Sequence, residues 1–307
     1  MRTLAAAVLV GVCALGAPRG AAAHFPVGVT TSTFTKTSVT TGASRPLATV
    51  IWYPAVHGTG TAETLGLRDA KVRHGRFPLV VFSHGSCGRP TEATYFTMAL
   101  ASLGFVVAAP PHPGNTADEI PACASTANFL DSAANRVPDV MFVIDSMLAE
   151  ANDRSSRFSK RLRADAIGMS GLSFGGFTTL LVEQQDPRVR MALTMVPGGV
   201  EFLAPGDIAL PTMVIGSEHD RVVGFAESQQ AFARLSGPRF LVELLGGDHL
   251  NVVDTCAPLC GTLSQDDGHR LVLRYALPFF ERYLGRKHRA GRTLEHQVDG
   301  VTLTADP

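Results

Sequence analysis

The chain has 307 residues, of which 45% are hydrophobic and 18% charged, enough apolar surface for one large domain and too little charge repulsion for disorder. Lys plus Arg number 27 and Asp plus Glu also 27, so there is no basic field to neutralise a phosphate backbone, which argues against a nucleic-acid partner.

From the N-terminus, Arg2 precedes an uncharged stretch from Thr3 to Pro18, rich in Ala, Val and Leu, which is followed by Ala21, Ala22 and Ala23. That layout predicts a secretory signal peptide over residues 1–23 and an exported protein. No later apolar run reaches the length of a membrane span before Gly, Pro or a charge interrupts it. The Thr-rich segment from Thr30 to Thr41 and a strand from Leu47 to Tyr53 come before any helix, which predicts an antiparallel edge. Leu79–Phe82 is a continuous apolar strand, followed by a helix bearing Phe96, Leu100 and Leu103 and a strand from Phe105 to Ala109. Val140, Val143, Ile144, Met147 and Leu148 then mark an amphipathic helix. Strands at Ala166–Met169, Val189–Val196, Met213–Ile215 and Phe240–Leu245 follow. Between them lie helices bearing Phe177, Leu180 and Leu181, and Phe225, Phe232 and Leu235. A final helix runs through Val272, Tyr275, Phe279 and Phe280, with Pro278 expected to kink it or shift its start. This alternation predicts an α/β fold with a mostly parallel sheet of about eight strands and helices on both faces. One domain over residues 24–285 is expected, with residues 286–307 as a loosely held polar tail.

The sharpest local signal is Gly171-Leu172-Ser173-Phe174-Gly175, between a strand and a helix. Small residues allow a strained turn there that leaves the Ser173 hydroxyl exposed above the sheet. A serine hydroxyl is a poor nucleophile at neutral pH, so it needs a base, and the base needs an orienting carboxylate. Both should follow strands, where loops converge. Asp220 follows the strand ending near Ile215, and His249 follows the strand ending near Leu245. Glu218 competes as the acid, but Asp220 lies deeper in its loop; His219 is the nearest rival base, and Asp248 reads as a solvated turn residue. His84 and His112 read as loop-organising or structural. Attack on an acyl carbonyl creates an oxyanion that two backbone amides can hold. The expected donors are Phe174, directly after the nucleophile, and Ser86 in the Ser83-His84-Gly85-Ser86 loop.

Setting Cys13 aside with the leader, Cys87, Cys123, Cys256 and Cys260 remain. In an oxidising compartment they favour two disulfides, with three possible connectivities. Cys256 and Cys260 can close a small loop, which would leave Cys87 to Cys123. A zinc site lacks companion ligands at finger spacing.

Together these residues make the chain resemble an α/β-hydrolase, and within that group the secreted dienelactone-hydrolase-like and platelet-activating-factor-acetylhydrolase-like serine esterases. The resemblance rests on Ile51-Trp52-Tyr53-Pro54, Phe82-Ser83-His84-Gly85, Gly104 to Pro110 with His112-Pro113-Gly114, Ser170 to Gly176, the Asp220 and His249 loops, and Phe279 to Leu284. Leu172 departs from it, since many relatives carry His there. The resemblance implies a secreted hydrolase cleaving small or exposed acyl esters through an acyl-enzyme, with Ser173, Asp220 and His249 as triad and no cofactor or metal. Two alternatives are a lipase or polyester hydrolase of the same chemistry, and a catalytically silent binding protein on the same fold. Few residues are available for a lid between Val189 and Gly224, so an open site is expected, with the insert from Asn115 to Val137 as its rim.

Overall fold

A strand covered by helices on both faces needs apolar residues at every position, and Phe77–Ser83 meets that requirement, buried along its whole length. The computed structural model describes residues 24–203, 208–257, 259–285 and 291–307; the expected leader, residues 1–23, lies outside them. The strands are β1 (Val27–Thr37), β2 (Ser44–Pro54), β3 (Thr61–Glu63), β4 (Gly66–Arg68), β5 (Phe77–Ser83), β6 (Val106–Ala109), β7 (Leu162–Leu172), β8 (Val189–Met195), β9 (Thr212–Ser217), β10 (Arg239–Leu244) and β11 (Val301–Asp306). They form one sheet in the order β11-β10-β9-β8-β7-β5-β6-β2-β1-β4-β3. The run from β10 to β6 is parallel throughout. β2 and β1 continue it antiparallel, as the Thr-rich start of the chain predicts.

The helices are α1 (Thr94–Ser102), α2 (Thr126–Asn152), α3 (Phe174–Gln185), α4 (Phe225–Ala233) and α5 (Gln265–Tyr283). The two-residue period of β5 divides its side chains between the faces. Val80 and Phe82 pack with Phe96 and Leu100 of α1 and Phe279 and Phe280 of α5. Leu79 and Val81 pack with Val140, Val143 and Met147 of α2 on the other face. Phe177 and Leu180 of α3 and Ala231 of α4 cover Val214 and Leu241 on that side too. α5 runs through Pro278 and starts at Gln265, where the Ser264 side chain caps it.

Three expectations need correction. The described sheet has eleven strands rather than about eight, because β3, β4 and β11 are edge or near-edge strands that can be short or polar and carry no apolar run. The tail is not loose at its end: β11 pairs antiparallel with all of β10, burying Val301, so the sheet extends past residue 285. α2 begins at Thr126, well before Val140, where the apolar spacing marks a helix. Its buried face starts with Ser132, Asn135, Arg136 and Asp139 and continues at the same helical spacing through Val140, Val143, Ile144 and Met147. Apart from Val137 the buried face is polar for its first two turns, which hides it from hydrophobic periodicity.

Both expected disulfides close, Cys87 to Cys123 and Cys256 to Cys260. The first spans 36 residues and should stabilise by roughly 3–4 kcal/mol through the lost entropy of the unfolded chain. Full reduction is therefore expected to lower Tm by roughly 5–15 °C. An unchanged Tm with all four thiols shown to be free would contradict this.

Glu183 on α3 is buried, with Oε1 accepting from the Thr212 hydroxyl at 2.6 Å and Oε2 unpartnered among the described residues. Burial pushes its pKa up to about 8, against the smaller pull of the Thr212 bond. The folded state keeps this proton where the unfolded chain releases it, so the contribution is whole below about pH 4.5 and is lost as pH rises towards 8. Glu183→Gln should match the parent near pH 4.5 and gain roughly 3 kcal/mol over it by pH 7. Melting curves of both proteins across that range test this, and a constant difference would refute it.

Candidate active site

The loops that follow β5, β7, β9 and β10 come from the carboxyl ends of parallel strands and meet above the sheet. Ser173 sits between β7 and α3 at φ 53°, ψ −120°, a conformation a side-chain-bearing residue holds only when its surroundings enforce it. The enforcement is steric. A Cβ on Gly171 would lie 2.3 Å from the Gly175 carbonyl oxygen, and one on Gly175 would lie 1.9 Å from that of Ser83. Both glycines are therefore required for the turn to nest against the β5 loop. The Ser173 hydroxyl makes no hydrogen bond to a described residue.

Asp220 and His249, 29 residues apart in sequence, are joined by a 2.7 Å hydrogen bond from His249 Nδ1 to Asp220 Oδ2. Asp220 Oδ1 accepts from the amides of Val222 (2.9 Å) and Val223 (3.0 Å). Burial pushes the Asp220 pKa up, but the His249 bond and these two amides outweigh it and hold the carboxyl below its ordinary value. With the proton on Nδ1, the His249 Nε2 lone pair is unoccupied among the described residues. The rivals lie elsewhere. Glu218 accepts from the Gly246 amide, and His219 is more than half exposed beside Glu218. Asp248 departs from the solvated reading: it is fully buried, ion-paired to Arg221, and accepts from the backbone amides of Arg221 and His249. Through Arg221 its carboxylate ties the His249 loop to the Asp220 loop.

Ser173, Ser86 and Phe174 line one apolar pocket of about 480 Å³. Phe129, Leu130 and Ala133 of α2 and Phe202, Val222 and Val223 complete most of its wall, so the start of α2 is the rim expected of the insert. Val222 and Val223 also hold Asp220, which ties the pocket wall to the carboxylate. The amides of Ser86 and Phe174 take no acceptor among the described residues; Phe174 is the first residue of α3, where no helical acceptor exists.

A buried polar network lies under the β5 loop. His84 Nδ1 donates to the Gly85 carbonyl (2.7 Å), while its Nε2 accepts from the His112 amide (3.0 Å). Both imidazoles are held well below their ordinary pKa, first by burial and then by the nearby Arg136 cation. Glu92 Oε1 accepts from the Gly85 amide at 2.5 Å. Burial of that carboxyl pushes it up to about 7. Asp139 receives two bonds from Arg45 Nε and one from Arg45 Nη2, together with His112 Nδ1. These residues, with Asn115 and Arg136, lie outside the catalytic residues expected from sequence. The one signal available beforehand was the spacing of Ser132, Asn135, Arg136 and Asp139 in register with the apolar stripe of α2.

The parallel sheet, the serine turn between strand and helix, and the later Asp and His loops define an α/β-hydrolase. A solved structure of a ferulic acid esterase from Streptomyces cinnamoneus shares the fold, with a TM-score of 0.74 at 22% identity over 94% of this chain and 98% of that one. The chain belongs to the PET hydrolase-like family, whose model it matches over residues 55–260. It is 27% identical over 173 residues to cutinase est2 of Thermobifida alba, covering 55% of this chain and 52% of that protein. To the platelet-activating factor acetylhydrolase of Cavia porcellus it is 22% identical over 261 residues, covering 68% and 58%. The chain thus spans about half the length of the relatives it matches. No helix among the described residues is long and apolar enough to cross a membrane.

Proposed function

We propose that this protein is an exported serine hydrolase that cleaves carboxylic esters through an acyl-enzyme. Ser173 Oγ attacks the acyl carbon while His249 Nε2 takes its proton; His249 then passes that proton to the leaving alkoxide. Water, deprotonated by the same imidazole, releases the acid and restores Ser173. Asp220 holds the imidazole with its proton on Nδ1 and stabilises the imidazolium that forms. The amides of Ser86 and Phe174 hold the oxyanion. The observation that carries this reading is Ser173 at φ 53°, a strained serine facing an apolar pocket that it shares with two unclaimed amide donors. The names of the relatives, cutinase and an acetylhydrolase among them, support ester chemistry. Two disulfides fit an oxidising compartment, as the expected leader over residues 1–23 does.

The pocket favours an apolar acyl or aryl group open to solvent on one side. A fluorophosphonate probe followed by peptide mapping tests the assignment. Labelling confined to Ser173, abolished by prior denaturation, is the expected result. Folded protein that remains unlabelled, while a control serine hydrolase reacts, would overturn it.

A further inference from the structure

Arg136 is almost completely buried, yet no carboxylate lies within 4.0 Å of it among the described residues. A buried cation with no carboxylate in direct contact is costly even with Glu92 and Asp139 nearby, and a neutral side chain would fill the same space without that penalty. All five of its N–H donors are nevertheless used. Nε donates to Ser132 Oγ (3.1 Å). Nη1 donates to Ser83 Oγ (3.3 Å) and the His84 carbonyl (2.6 Å). Nη2 donates to the Gly85 carbonyl (3.0 Å) and Asn115 Oδ1 (2.8 Å). Asn115 in turn donates to Ser86 Oγ (3.2 Å) and to the Cys123 carbonyl (2.8 Å). The guanidinium also lies 4.2 Å from the centre of the Phe174 ring.

These contacts converge on two residues, Ser86 and Phe174, which the proposed mechanism assigns to the oxyanion hole. The Gly85 carbonyl and the Ser86 N–H are opposite ends of one planar peptide, so fixing the carbonyl fixes the direction of the N–H. We infer that Arg136 is a positioning residue for the oxyanion hole: from beneath the loop it holds the Gly85–Ser86 peptide so that the Ser86 N–H faces the reacting carbonyl oxygen. The Gly85 oxygen also accepts from His84 Nδ1 and from the Gly88 amide (3.2 Å), and such converging donors polarise the peptide and strengthen its N–H as a donor. On the other side Glu92 holds the Gly85 amide, so both peptides flanking Gly85 are pinned before substrate arrives.

This inference rests on the esterase reading, and its test separates the two. Arg136→Gln and Arg136→Lys are assayed on a soluble p-nitrophenyl ester, with active sites counted by fluorophosphonate titration. Affinity for phenylboronic acid, whose tetrahedral adduct places an oxygen in the oxyanion hole, is measured beside them. Misaiming one donor should lower kcat per titrated site by roughly 10–100-fold in the Gln variant, with KM within about twofold. Boronate affinity should fall with kcat, and Lys, which keeps the charge without the fork, should recover part of the loss. A merely structural role would reduce Tm and the number of titratable sites but leave kcat per site and boronate affinity at parent values. That result overturns the inference. If neither variant folds, the 15N spectrum of the parent decides: boronate must shift the Ser86 amide and the Arg136 Nε–H together, and an unmoved Arg136 signal refutes the coupling. A parent protein inert towards esters would overturn the esterase reading instead.

Discussion

Replacing Ser173 with alanine should lower kcat on activated esters by roughly 10⁴–10⁶-fold while leaving the fold intact. The hydroxyl bonds to no described residue, so its removal leaves no partner unsatisfied. Alanine inherits the same positive φ, so the backbone strain is unchanged and stability should move by less than about 1 kcal/mol. The residual rate should stay above that in water, because the Ser86 and Phe174 amides and the apolar pocket remain. The measurement is turnover of a p-nitrophenyl ester beside a melting curve. Undiminished turnover by the purified variant would end the serine-hydrolase reading, whereas lost turnover with a collapsed Tm would point to a folding defect and call for Ser173→Cys.

Asp220→Asn is the second large effect, expected at roughly 10⁴-fold in kcat. An Asn oxygen can still accept the Val222 and Val223 amides through the position Oδ1 occupies, so the loop keeps its shape. The group facing His249 changes from a pure acceptor to a potential donor. That favours the imidazole tautomer with its proton on Nε2, the atom that must accept from Ser173. The parent carboxyl sits below its ordinary pKa, so it binds fewer protons folded than unfolded in the acid range. Its contribution to stability is present above about pH 4 and is lost as pH falls through the lower folded value. The variant should lack that acid dependence, and Tm against pH for the two proteins checks the sign. A variant within tenfold of the parent in kcat would exclude Asp220 as the orienting acid and return attention to the Glu218 loop.

The two parts of the site differ in how far sequence reveals them. Ser173 is legible because its turn demands Gly171 and Gly175 at fixed spacing, a local requirement written as local composition. Asp220 and His249 are legible because each follows an apolar strand, and the topology of parallel sheets brings such loops together. Asp248 reads as a solvated turn residue because its neighbours in sequence resemble a turn, while its partner Arg221 lies 27 residues away. The beginning of α2 is hidden in the sequence for a related reason: a buried Ser, Asn, Arg or Asp looks like a solvent-facing residue until its partners are known. Phe129, Leu130 and Ala133 of the insert nevertheless line the pocket beside Ser173.

Sequence alone therefore determined the alternation of strands and helices, the α/β-hydrolase class and the glycine-flanked serine turn, and it placed Asp220 and His249 in loops that follow strands, because hydrophobic period and glycine placement act over a few residues. Only the tertiary structure decided that β11 closes the edge beside β10, that Asp248 anchors the His249 loop, and that the polar turns of α2 grip the loop after β5. Those outcomes depend on buried hydrogen bonds between distant segments. A polar group can be buried only where folding supplies its partner, and no local pattern records which partner that will be.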